Sequence, residues 1–274
     1  MTLTDRIPWP LTPLTRAAPR YLLIRRGQSR VRVLLPSSAG RPATLYLDGS
    51  AQAPDAGLLR DALAATRAAT HDHQVVVTQA LTPAQAQGFL DYGGSVIQQL
   101  TVLERGRPAS SSSGRRRREP KPGEPKPGEP KPGEPLVRRA RRHDLGVVEW
   151  IDLRSFGVDW CFDRAALIDA CRVTPSSRFR VALNQRHDVV GFAISGQSRH
   201  NGFLQRLAVD PGEQGAGIGR TLVADALSWF DRADCRVVTV NTRPDNARAM
   251  RLYRSSGFTV TGPGLIQVDI GDLE

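Results

Sequence analysis

Apolar positions come in short runs over the first hundred residues and in a longer, more regular series after residue 136. In the first series, 21–24 and 31–35 have the apolar density of short strands around an Arg-Gly-Gln-Ser turn, and 43–47 reads as a third strand. Leu58, Leu59, Leu63, Ala64 and Ala68 recur at helical spacing and predict a helix over 58–69. Val75, Val76 and Val77 form a buried strand. A short helix follows over 83–90, with Thr82 as N-cap, Pro83 at its first position and Gly93-Gly94 at its end. Residues 96–103 alternate as a closing strand.

In the second series, 137–141 reads as a strand. Two helices follow, 144–156 with Asp144 as its N-cap, and 164–171. Residues 179–183 and 189–195 form a hairpin, and 203–209 is a central strand. A glycine-rich turn leads into an amphipathic helix whose apolar face is Ile218, Leu222, Val223, Ala226, Leu227 and Phe230. Then come a strand at 237–240, a helix at 246–255 ended by Gly257, and strands at 259–261 and 265–270.

Between the two series the composition changes. Serines at 110–113, Gly114 and the run Arg115–Arg118 precede three Glu-Pro-Lys-Pro-Gly repeats that start at Glu119, Glu124 and Glu129. Proline fixes φ and cannot sit inside a helix or sheet, so this stretch predicts a solvated, semi-rigid spacer. The chain divides accordingly into a loosely ordered 1–19, a small α/β domain over 20–106, a disordered linker over 107–135 and a second domain over 136–274.

Composition adds bounds. With 274 residues and 40% hydrophobic content, two small globular domains fit. No window approaches the ~18 apolar residues of a membrane span. The first residues lack a signal-peptide pattern. Both point to a cytoplasmic protein without membrane contact. Cys161, Cys171 and Cys235 fit neither a disulfide framework nor a metal site, so no metal is expected. The net charge of +11 favours polyanionic partners: nucleic acid, ribosome or an anionic cofactor. Much of that excess sits in local arginine clusters. A solvated linker is the favoured reading of Arg115–Arg118, and a ribosome or nucleic-acid tether is the alternative.

The candidate chemistry centres on Gln214-Gly215-Ala216-Gly217-Ile218-Gly219. A strand, a glycine turn and a helix N-terminus place free backbone N–H groups and the positive end of a helix dipole around one point, which suits a phosphate. Walker A spacing is absent, because Arg220-Thr221 follows the last glycine. A dinucleotide GxGxxG pattern starting at Gly215 fails at Arg220. The pattern Gln-x-x-Gly-x-Gly is met. Downstream lies Asn241-Thr-Arg-Pro-Asp-Asn246-Ala-Arg-Ala-Met-Arg-Leu-Tyr253-Arg-Ser-Ser-Gly257-Phe258.

Loop and downstream element together resemble the GCN5-related N-acetyltransferases (GNAT superfamily) over residues 136–270. The last third is most similar to the ribosomal-protein alanine N-acetyltransferases. The resemblance implies an α/β fold with a mixed, mostly antiparallel central sheet flanked by helices. It also implies acetyl-CoA as co-substrate and a primary amine as acceptor, either a protein N-terminus or a small molecule. Carried onto this chain, Gln214, Gly215, Ala216, Gly217, Ile218, Gly219 and Arg220 hold the pyrophosphate. The backbone of Leu207, Ala208 and Val209 pairs with the pantetheine arm. Asn246 contacts that arm, and Tyr253 protonates the leaving thiolate as general acid. Asn246 and Tyr253 lie two helical turns apart and share a face.

No base is evident. The central strand has no carboxylate, and Asn241 stands where the alanine acetyltransferases carry a glutamate. A water relay through Gln205 or Asn241 is the remaining route, with His200 and Asp159 as weaker bases. The rival to a transferase is an acyl-CoA-binding sensor or scaffold, tethered to ribosome or nucleic acid by the arginine-rich linker.

The first series looks like a worn copy of the second. Val75-Val-Val-Thr-Gln-Ala-Leu-Thr-Pro with Phe89-Leu90-Asp-Tyr-Gly-Gly94 parallels Val237-Val-Thr-Val-Asn-Thr-Arg-Pro with Leu252-Tyr253-Arg-Ser-Ser-Gly257. Leu90 falls opposite Tyr253, and the phosphate turn is missing between Leu47 and Leu58. This predicts a degenerate GNAT-like first half, as in tandem GNAT proteins.

Overall fold

The computed structural model describes residues 21–35, 42–47, 54–70, 75–107 and 135–271, apart from Asp159. The 1–19 stretch, most of the linker with Arg115–Arg118 and its repeats, and Asp159 lie outside the described residues.

The element order follows the apolar pattern. It runs β1 (Tyr21–Arg26), β2 (Ser29–Leu34), β3 (Ala43–Leu47), α1 (Ala56–Thr70), β4 (Val76–Thr78), α2 (Pro83–Asp91) and β5 (Ser95–Gly106). It continues with β6 (Leu136–Arg139), α3 (Leu145–Phe156), α4 (Arg164–Ala170), β7 (Ser176–Leu183), β8 (Val189–Ser198) and β9 (Asn201–Val209). Last come α5 (Ile218–Arg232), β10 (Val237–Thr242), α6 (Ala247–Ser255), β11 (Thr259–Val260) and β12 (Leu265–Asp269). Strands β5, β7 and β8 run longer than the apolar runs that mark them, because ladder pairing continues through polar residues.

The expected capping of α2 is present in full. Thr82 Oγ1 accepts from Gln85 N, and the Gln85 side chain accepts from Thr82 N. The expected capping of α3 by Asp144 is not. Asp144 makes no cap bond to α3. Its carboxylate turns back to accept from Arg141 N at 2.6 Å and from the two Arg138 nitrogens at 2.7 and 2.8 Å. A buried carboxylate with a guanidinium in reach gains more from that bidentate pair than from one helix amide.

The chain forms two compact units that are not contiguous in sequence. One holds Met1–Leu103, Asn241–Met250 and Val260–Glu274; the other holds Glu104–Val240 and Arg251–Thr259. In the first, the strands lie in the order β1-β2-β3-β4-β12-β5. Only β3 and β4 are parallel, while β12 runs antiparallel to both β4 and β5. The C-terminal strand is therefore part of the first unit, where Val268 and Ile270 share one core with Leu45, Leu58, Leu63 and Phe89.

The second unit orders its strands β10-β9-β8-β7-β6, with β9 and β10 parallel and the rest antiparallel. Helices cover both faces. Phe192 and Ile194 of β8 join Val148, Ile151 and Leu167 of α3 and α4 in one core. Gly191, on the opposite face, meets α5: a Cβ there would lie 3.2 Å from Ile218 Cγ2. This mixed, mostly antiparallel sheet flanked by helices is the expected fold class.

Strand β9 is irregular in two places. Ile194 pairs with Arg206 but Ser195 pairs with Leu204, so Gln205 is an extra residue, a bulge. The ladder to β10 also stops early, at Phe203 opposite Thr239. From Leu204 onward the β10-facing edge of β9 has no strand partner among the described residues.

Candidate active site

The open edge of β9 leads directly into the glycine turn. A single 3-10 turn, Pro211–Glu213, is closed by Asp210, whose carboxylate accepts from Gly212 N. Gly217 then takes the left-handed conformation, φ 81, at the N-cap of α5 and offers no side chain to the helix. Gly215 is also left-handed, at φ 96. An L side chain there is strained.

Thr221 N donates to Gly217 O as the first helical bond, and the amides of residues 215–220 have no acceptor among the described residues. They sit at the positive end of a fifteen-residue helix. Gly215, Ala216, Gly217 and Arg220 are exposed, whereas Ile218 is buried and anchors the helix. Gly219 serves close packing: a Cβ there would lie 3.2 Å from Leu252 Cδ2 of α6.

The Gln214 side chain does not face outward. Its Nε2 donates to Val209 O at 2.9 Å, and Ser155 Oγ donates to the same carbonyl at 3.2 Å. Arg154 pairs with Asp210 at 2.8 Å. The end of β9 is thus fastened to α3 and to its own turn. Leu207 is half-buried, and Ala208 and Val209 are buried.

Tyr253 is 5% exposed, edge-on to Phe258, and its hydroxyl has no hydrogen-bond partner among the described residues. Burial holds its phenol far above the ordinary value, so it stays protonated well past neutral pH. Asn246 caps α6, with Oδ1 accepting from Ala249 N at 3.0 Å. Asp245 pairs with Arg243 instead. Asn241 is half-buried near the end of β10. His200 lies in the turn at the far end of β9 from the glycine loop, exposed, its Nδ1 3.2 Å from Asp234 O.

Gln205 occupies the bulge. Both polar atoms of its amide are buried with no hydrogen-bond partner among the described residues. Beside it stands a cluster that pattern reasoning missed. Arg206 donates from Nε and Nη2 to the fully buried Asp152 at 2.8 and 2.7 Å, and from Nη2 to Trp160 O at 2.7 Å. Its guanidinium lies 3.5 Å from the Phe156 ring centre and 4.0 Å from that of Phe162. Two signals mark this cluster in the sequence: an aspartate at a core position of an apolar helix, and an arginine inside an apolar strand.

Among the described residues no His/Cys/Asp/Glu group has metal-binding geometry, and no helix is long and apolar enough to cross a membrane.

The chain is similar to proteins already known. A model of the acetyltransferase (GNAT) family matches residues 146–258. The peptidyl-lysine N-acetyltransferase YjaB of Escherichia coli K12 is 37% identical over 134 residues, covering 46% of this chain and 83% of that protein. The N-alpha-acetyltransferase RimI of Mycobacterium tuberculosis is 42% identical over 78 residues, 27% of this chain; the match spans 48% of that protein, about half its length. A tandem GNAT protein from the clavulanic acid biosynthesis pathway, solved without AcCoA, superposes with TM-score 0.59 at 15% identity, over 94% of this chain and 86% of that one. The fold likeness thus extends through both halves. With the open strand edge, the uncapped glycine turn and the Tyr253 element in place, the chain belongs to the acetyltransferase (GNAT) family.

Proposed function

We propose that this chain is an acetyl-CoA-dependent N-acetyltransferase that acts on a primary amine, a protein N-terminus or a small molecule. The observation that carries this is the joining of the open β9 edge to the unsatisfied amides of 215–220. An extended amide-bearing arm fits the edge by strand addition, and a pyrophosphate fits the amide cluster. Arg220, exposed on the first turn, adds a cation. Asn246 spends Oδ1 on its cap, which leaves only its amide nitrogen for the arm.

In the transfer, the amine nitrogen attacks the thioester carbon, the C–N bond forms, and the C–S bond breaks. A β9 amide polarises the carbonyl oxygen. Tyr253 donates its phenolic hydrogen to the departing sulfur and recovers a proton from water. The proton lost by the amine leaves through water held at Gln205 or Asn241, since neither amide is itself a base at neutral pH. YjaB and RimI are named for acetylating a peptidyl lysine and an N-α group, which supports a peptidyl amine as acceptor.

The test is calorimetric binding of acetyl-CoA, followed by acetyl transfer to a panel of amines, with Tyr253→Phe as control. Binding near one per chain with transfer that Tyr253→Phe slows supports the proposal. Binding without transfer to any amine leaves a sensor instead.

A further inference from the structure

The bulge at Gln205 turns two consecutive side chains of β9 toward the α3–α4 face, where regular alternation allows only one. The second of them, Arg206, is built to an unusual degree. Asp152 fixes two of its three nitrogens, and Trp160 O takes a further hydrogen bond from Nη2. Phe156 and Phe162 cover the two faces of the guanidinium plane. Only one in-plane corner is left, Nη1, which has no partner among the described residues; the side chain keeps 12% of its exposure. The two aromatic rings are themselves half-buried, so the cluster opens outward rather than closing into the core.

We propose that Nη1 of Arg206 is a recognition point for the acceptor, and that it binds the carbonyl oxygen next to the reacting amine. This deepens the acyl-transfer reading and rests on it. The chemistry of the corner selects the ligand. A guanidinium N–H donates and cannot accept, so the ligand atom is an acceptor oxygen. The charge of Arg206 is already balanced by Asp152 at hydrogen-bond distance, so a second carboxylate gains little Coulombic attraction there. A neutral amide carbonyl needs none. The flanking Phe rings favour a small apolar group beside that carbonyl over a charged one. The recognised class is therefore an amine followed by a peptide carbonyl, in preference to a free amino acid or a plain alkylamine.

The geometry also makes Asp152 the positioning residue. Asp152 Oδ2 accepts from Phe162 N as well as from Arg206, so one carboxylate sets both the arginine and the loop that covers it. Arg206→Met alone would strand a buried carboxylate and endanger the fold. The test therefore uses Arg206→Met combined with Asp152→Leu, and separately the charge-preserving Arg206→Lys.

Three probes share one skeleton: alaninamide, alanine and isopropylamine. Binding of each is measured by calorimetry, alongside acetyl-CoA binding and thermal unfolding of every variant. In the wild-type chain alaninamide is expected to bind about tenfold more tightly than isopropylamine, the worth of one charge-assisted hydrogen bond, and more tightly than alanine. The double variant and Arg206→Lys should each bring the alaninamide-to-isopropylamine ratio to within about twofold, with acetyl-CoA affinity unchanged. A wild-type ratio near one, a preference for alanine, or a ratio that survives in a folded variant overturns the proposal. Failure of acetyl-CoA to bind would instead remove the transferase reading, and the probe ratio would still report on Arg206.

Discussion

In the first half, β3 runs parallel to β4 and feeds α1; in the second, β9 runs parallel to β10 and feeds α5. Each half then continues into a short helix ended by a left-handed glycine, Gly93 after α2 and Gly257 after α6. The halves part at the start of the long helix. In α1, Asp55 places its own carboxylate on Leu58 N at 2.9 Å. In α5, Gly217 leaves the same kind of helix end uncapped. They also differ at the strand before it. Both ladders hold three residue pairs, but β3 leaves β4 after Leu45 with two residues still to run, whereas β9 leaves β10 after Phe203 with six. A helix N-terminus is an anion site only if its own chain does not fill it, and a strand edge accepts an extended ligand only if its neighbour departs. In the first half an aspartate of the chain itself fills the helix end; in the second the amides of 215–220 and a longer stretch of strand edge have no partner among the described residues.

Changing one half into the likeness of the other tests this contrast. The largest effect is expected for Gly217→Val, which combines a left-handed β-branched residue with a side chain over the amide cluster. Acetyl-CoA affinity should fall by about 100-fold, from backbone strain and blocked amides together. The reciprocal change, Asp55→Gly, should cost about 1 kcal/mol of stability or less. It should leave acetyl-CoA stoichiometry at one per chain. A second equivalent bound by the Asp55→Gly chain would show that capping alone separates the halves.

Next in size is the pair Tyr253 and Leu90, which the sequence repeat places opposite each other. Tyr253→Phe should lower kcat about 10- to 100-fold while acetyl-CoA affinity stays within about twofold. Leu90→Ala should act on stability alone, by about 2 kcal/mol or less for a partly buried side chain. Steady-state kinetics and chemical denaturation separate the two outcomes.

The pH dependence is smaller and belongs to the second unit. The Arg138 guanidinium holds the Asp144 carboxyl below the usual carboxylate range against the cost of its burial. A depressed folded value means this stabilisation is present above the unfolded value of about 4 and is lost as pH falls through the folded one. Asp144→Asn should flatten that acid limb of the unfolding temperature. At the other end the Tyr253 phenol is raised. Its contribution is present below the ordinary value of about 10 and is lost as pH rises beyond it. Tyr253→Phe should therefore soften alkaline unfolding without touching the acid limb.

The smallest effect concerns the cysteines, all of which lie in the second unit. Burial pushes the Cys171 and Cys235 thiols up to about 11. Iodoacetamide at pH 7.5 should label the native chain at these positions far more slowly than the unfolded chain, as read by peptide mass spectrometry. Rapid native labelling would show that the second unit opens readily.

Much of this was legible in the sequence, for local reasons. Gln214 to Gly219 marks a turn with open amides because glycines at that spacing permit a backbone few other residues adopt. The α5 face from Ile218 to Phe230 is written in its period. Thr82 and Pro83 mark the start of α2. The misreadings have equally physical causes. Asp144 has the right type and place for an α3 cap, but a guanidinium from β6 claimed it. Gln214 reads as a ligand-facing residue, but its amide ties back to Val209 O. The Arg206 cluster joins residues far apart in sequence, and no local period connects them.

Taken alone, the sequence determined the order and type of the elements, the linker that interrupts them, the turn that can hold an anion, and which half retains it. These follow from short-range periodicity, capping chemistry and the conformational freedom of glycine. Tertiary structure decided the rest. It placed β12 in the first unit between β4 and β5, opened β9 beyond Phe203, and set the bulge that turns Gln205 and Arg206 to one face. Apolar alternation says that a strand has a buried face. It does not say which strand will lie beside it, where the ladder will end, or where one extra residue will slip the register.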